Sequence, residues 1–105
     1  MNVYDKGDTV KIATSTAFQD ADGTAVDPDV VTVTYEDPAG NETSKSYPAD
    51  AEVSHDGTGE FSLEIDTDIA DGVGVWKYEF KGKTSDDVSR GMDDGQFKVR
   101  QPKIS

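Results

Sequence analysis

Val75-Trp76-Lys77-Tyr78-Glu79-Phe80-Lys81 alternates without a break: Trp76, Tyr78 and Phe80 on one side, Lys77, Glu79 and Lys81 on the other. Successive side chains of a strand point to opposite faces, whereas a helix would put Tyr78 on the far side from Trp76 and Phe80. This is the heaviest aromatic face of the chain. It reads as a central strand with its rings in the core, not as a sugar-stacking platform.

The same period recurs on both sides of that segment. From Thr9 to Gln19, Val10, Ile12, Thr14, Thr16 and Phe18 share one face. Val30–Glu36 turns Val31, Val33 and Tyr35 inward, and Glu60–Asp66 turns Phe61, Leu63 and Ile65 inward with Ser62 outward. Gly95–Arg100 adds Phe97 and Val99. Glu42–Tyr47 is a polar return strand near an edge, and Ala51–Ser54 is a weak one. Asp20-Ala21-Asp22-Gly23, Asp37-Pro38-Ala39-Gly40-Asn41, Asp56-Gly57-Thr58-Gly59 and Lys81-Gly82-Lys83 read as turns. Thr84 to Asp94 reads as a solvated loop. One Leu stands against eleven Val and ten Thr, a β-branched composition suited to strands.

Short strands at intervals of about ten residues predict an all-β, immunoglobulin-like antiparallel β-sandwich of about seven strands. A closed barrel is the runner-up, but its strands need no connection as long as Thr84 to Asp94. The chain's 105 residues predict a single domain over 1–105, with a core from about 4 to 100 and a short tail over 101–105. Few large aliphatics and a net charge of −12 lie near the composition of disordered chains. The alternating placement of the apolar residues argues for a folded one.

Composition also excludes. There is no Cys, so disulfides and thiolate metal sites are absent. His55 is the only His, and beside Asp56 it reads as a surface residue before a glycine turn rather than an acid–base dyad. The acidic balance argues against nucleic acid as a partner, and no apolar run approaches the roughly 20 residues of a membrane span. A glycosidase carboxylate pair needs a cleft between two groups, and the paired acids here sit on turns. Asn41-Glu42-Thr43 matches a glycosylation sequon, but an Asn after Gly in a hairpin turn explains itself.

Two sets of candidate site residues remain. Asp20, Asp22, Asp27 and Asp29 cluster on turns, and calcium is the one cofactor such loops are suited to. Asp is equally an ordinary turn residue, and the bidentate Glu of a calcium-binding loop is missing, so no cofactor is expected. Charge is also segregated along the chain: residues 1–75 hold 17 acidic and 3 basic side chains, residues 76–105 hold 5 and 7. A segregated field orients docking. Lys81, Lys83, Asp86, Asp87 and Arg90 are the candidate partner-binding residues.

Tyr4-Asp5-Lys6-Gly7-Asp8-Thr9-Val10, Phe18 to Pro28, Val31-Thr32-Val33, Asp37 to Asn41, Gly57 to Ser62 and Gly74 to Tyr78 together resemble bacterial and phage immunoglobulin-like domains. Such domains occur in small tailed-phage virion proteins, and the chain is also similar to the second domain of bacterial macroglobulins. Ser85 to Gly91 departs from that pattern. The resemblance implies a sandwich, and it implies a non-enzymatic structural module of a phage particle: a capsid decoration or head–tail or tail accessory protein. Its partners would be coat, neck or tail proteins, with many copies on one assembly. Met1 opens the chain and no charged-then-apolar leader follows it, which fits a protein made in the host cytoplasm, incorporated in the virion and released by lysis. The alternative is a ligand- or carbohydrate-binding domain of a secreted, adhesin-type bacterial protein, calcium-stabilised and extracellular or on the cell surface.

Overall fold

The computed structural model describes residues 2–14, 17–84 and 89–101. Eight strands and no helix occur among them: β1 (Asn2–Asp5), β2 (Thr9–Ala13), β3 (Val30–Glu36), β4 (Glu42–Tyr47), β5 (Val53–Gly57), β6 (Glu60–Asp66), β7 (Gly74–Lys83) and β8 (Ser89–Arg100). One sheet has the order β1-β8-β7-β3-β4 and the other β2-β6-β5. This is the strand order of an immunoglobulin-like sandwich. No helix long and apolar enough to cross a membrane is present among the described residues.

The alternating residues fill the space between the sheets. Val10 and Ile12 of β2 and Phe61, Leu63 and Ile65 of β6 are buried against Val31, Val33, Trp76, Phe80, Phe97 and Val99 of the larger sheet. Each large apolar side chain so buried contributes about 1.5–3 kcal/mol. Tyr35 and Tyr78 are only partly buried, and Val53 joins the core from β5. Ser62 is buried, not outward into solvent, on the strand face shared with Ala13 and Ser54 in the register.

Several boundaries differ from the sequence reading, each for a local reason. The first long strand ends at Ala13: at the next pair the Thr14 N–H still reaches the Phe61 carbonyl at 3.0 Å, but the Phe61 N–H goes to the Thr14 hydroxyl at 3.2 Å instead of its carbonyl. The chain then leaves the sheet as a strap over residues 17–29 that carries Phe18 back into the core. Lys81-Gly82-Lys83 is not a turn but the end of β7, with Gly82 paired to Gly91. Gly82 is needed there because a Cβ would meet Pro28 at 2.6 Å and the Phe18 ring at 3.0 Å. Much of the expected loop, Ser89 to Asp94, is therefore the first half of β8. The weak strand shifts to Val53–Gly57, with a bulge between His55 and Gly57.

β1 was not visible in the sequence. It pairs in parallel with β8, so the sandwich is not wholly antiparallel. Tyr4 meets the Phe97 ring edge-on at 5.7 Å, and Asp5 pairs with Arg100. The Thr67 hydroxyl, fully buried, donates to the Asp8 carbonyl at 2.7 Å and accepts the Gly7 N–H at 3.1 Å, tying the β1–β2 turn to the β6–β7 loop. That loop is closed by Trp76, whose Nε1–H donates to the Gly72 carbonyl at 2.9 Å. In antibody-type domains a tyrosine hydroxyl bridges back to upstream backbone at the same corner; here an indole does so.

β4 is an edge strand, as its polar composition predicted. Its end is closed by Asp50, which accepts the Ser46 N–H on Oδ2 at 2.8 Å and returns its own N–H to the Ser46 carbonyl at 2.6 Å.

Candidate functional site

Two of the four candidate calcium ligands, Asp20 and Asp27, are engaged by the fold. Asp20 Oδ1 accepts the N–H groups of Asp22 at 2.9 Å and Thr24 at 3.0 Å, a side chain mimicking a backbone turn. Asp27 Oδ1 accepts the Gly59 N–H at 2.7 Å and faces His55 Nε2 at 2.8 Å. The Gly59 bond, more than His55, holds the Asp27 carboxyl below its ordinary value against a smaller opposing effect of desolvation. Asp22 is exposed, and Asp29 lies on the approach to β3. Among the described residues no group of three or more His, Cys, Asp or Glu side chains converges to hold a metal ion.

His55 is a surface residue just before the glycine turn, as read, but it is a strand residue with partners of its own. It lies on β5, its ring stacked on Phe61 at 4.8 Å and 15°. Its hydrogen-bond partner is Asp27 and not the adjacent Asp56. Asp27, His55 and Gly59 together latch the strap to the smaller sheet. Strand pairing opposite Phe61 sets the position of His55, which sequence spacing alone does not reveal.

Of the partner-binding candidates, Lys81 points out from β7 with its Nζ 3.5 Å from Glu79 Oε1. Lys83 ends β7 opposite Ser89. Asp86 and Asp87 lie outside the described residues, as does the side chain of Arg90, whose backbone belongs to β8.

The larger surface feature is the outer face of the five-stranded sheet. Register places Glu42, Glu36, Lys77 and Gln96 in one cross-strand row and Ser44, Thr34, Glu79 and Asp94 in the next. Between these rows a trough of about 480 Å³ runs across β4, β3, β7 and β8, floored by the backbone at Tyr35, Tyr78 and Gly95. The Thr34 and Ser44 hydroxyls are 3.0 Å apart and hydrogen-bonded. Gly95 makes room on the core side, where the Tyr78 ring lies over it and a Cβ would collide with the phenol. Beyond the first wall, Val3 and Val75 flank Lys98 in register and are 55% and 38% exposed. The sequence marks Lys77 and Glu79 only as outward positions of one strand, and it places Asp94 in a loop and Val3 in no strand at all.

No protein-family model matches the chain, and no curated protein matches it. Among solved structures it is similar to a part of chitinase ChiW from Paenibacillus sp. str. FPU-7, described as a bacterial cell-surface-expressed multi-modular enzyme machinery. The TM-score is 0.60 at 16% identity. The match covers 91% of this chain and 8% of the chitinase chain. The likeness is one of fold.

Proposed function

We propose that the protein is a non-enzymatic docking module, attached in many copies to a larger assembly through its exposed sheet face and rims. The observation that carries this reading is the outer face of the five-stranded sheet. It presents two exposed valines around Lys98 and, beside them, a trough walled by charged and hydroxyl side chains. An isolated exposed valine is unremarkable, but neighbouring apolar groups bordered by a polar rim are the arrangement of a protein contact. The only His is engaged with Asp27 and Phe61 in holding the strap, which supports a role other than catalysis. The assembly we favour is a phage particle, with the chain as a decoration or head–tail accessory protein bound to coat, neck or tail subunits. Repetition on such a surface multiplies weak contacts into avidity.

The fold likeness to a module of a cell-surface chitinase favours a second reading: a ligand- or carbohydrate-binding module of a secreted or surface-attached bacterial protein. Two measurements separate them. Mass spectrometry of gradient-purified particles from a producing lysate is expected to find this chain in fixed stoichiometry to the coat protein; its absence would sink the virion reading. Co-sedimentation with insoluble chitin is expected to leave the protein in the supernatant, and retention on the polymer would favour the second reading.

A further inference from the structure

We infer that the trough across the five-stranded sheet receives an extended, cationic segment of a partner protein, an inference that rests on the docking reading above. Four strands span three intervals of about 4.8 Å, so the trough is about 14 Å long, the reach of about four residues of extended chain. Its floor consists of backbone already paired within the sheet, so recognition falls to the walls. There acceptors dominate: the carboxylates of Glu36, Glu42, Glu79 and Asp94 against the single ammonium of Lys77. A donor-rich, positively charged occupant satisfies them. Glu79 is already paired with Lys81, but both side chains are well exposed, at 37% and 51%, and such a pair is weak enough to be exchanged for an incoming Lys or Arg.

Other occupants fit less well. The carboxylates are strung along the walls, and among the described residues none of them converge in threes to hold a metal ion, so spaced charges suit the trough better than a point cation. A neutral glycan seeks a flat aromatic surface, but the Tyr78 ring packs on the core side against Phe80 and Phe97, and Tyr35 packs beside Trp76. A second copy laid face to face would oppose acidic walls to acidic walls, which costs affinity. Nucleic acid carries the wrong sign. Val3 and Val75, one row beyond the first wall, add apolar contact for the residues flanking the segment.

The test is an amide-resolved NMR titration of the whole chain in about 150 mM salt, where long-range attraction is screened. The probe is an eight-residue peptide alternating Lys and Thr; controls are the same peptide with Glu for Lys, and chitohexaose. The expected result is saturable shifts from the Lys peptide alone, confined to residues 34–36, 42–44, 77–79 and 94–96. E79Q/D94N should weaken binding about fivefold to tenfold, as two exposed charge pairs would. E64Q/D66N, on the outer face of the smaller sheet, should leave it unchanged, and Trp76 emission confirms that each variant is folded. Shifts spread over all acidic surfaces, equal loss in both variants, chitohexaose in the trough, or no binding at millimolar peptide would each overturn the assignment. The virion reading fails separately, if the chain is absent from purified particles.

Discussion

Gly23 and Gly59 share a left-handed backbone, with φ of 81° and 73°, but not a neighbourhood. Nothing lies within 4 Å of a Cβ built on Gly23, whereas one on Gly59 would stand 2.8–2.9 Å from the backbone of Phe18 and from the Val26 carbonyl. Gly23→Ala therefore incurs only the torsional cost, about 1–2 kcal/mol. Gly59→Ala must also push the strap away and is expected to cost more than about 3 kcal/mol. Urea titrations followed by Trp76 emission measure the difference, and equal midpoints would contradict the strap packing. Asp37 offers a second test at this scale. Its carboxylate accepts the N–H groups of Asn41 and Ala39 and the Asn41 side-chain amide, and the Asn41 backbone bond is the largest of the effects that hold its pKa below 3.8. A carboxyl depressed on folding stabilises above its unfolded value and loses that contribution as pH falls through the folded one. Asp37→Asn should be less stable at pH 6 and should lose less stability below pH 4 than the parent chain. Parallel acid-unfolding curves would show that the turn contributes nothing.

Elements were legible where one face is buried and the other wet. The alternation over Glu60–Asp66 matches β6 end to end, and that over Val75–Lys81 lacks only Gly74 at one end of β7 and Gly82 and Lys83 at the other. Glycine next to lysine carries the signal of a turn, and only the packing of Phe18 and Pro28 over Gly82 makes it a strand residue. β1 has half of its four residues exposed and owes its place to β8, a partner some ninety residues on; no local pattern announces such pairing. The trough was illegible for a related reason. That Glu36 stands beside Lys77, and Lys77 beside Gln96, is set by register among strands, which alternation alone leaves free. The part β1 plays can be measured: Tyr4→Ala removes a ring packed on Phe97 and is expected to cost about 1–2 kcal/mol. A change under 0.5 kcal/mol would make β1 an ornament on the sheet.

The whole molecule carries 22 acidic and 10 basic side chains. Self-repulsion of this kind opposes compactness and is screened by salt. Ion pairs among the described residues, such as Arg100–Asp5, Lys45–Glu52 and Lys81–Glu79, are partly exposed and weak, so screening them loses little. The melting temperature at neutral pH should therefore rise by a few degrees between about 20 and 500 mM sodium chloride; a fall would mean that the pairs outweigh the repulsion.

Crowding raises a different hazard. Open sheet borders invite strand-by-strand growth between neighbouring molecules, the route to amyloid. Asp50 folds back on β4 and takes both main-chain groups of Ser46, so a strand arriving there finds the last rung already filled. That small hook closes this end of β4 to strand addition. Removing it, as in Asp50→Ala, should shorten the lag before thioflavin-positive material forms.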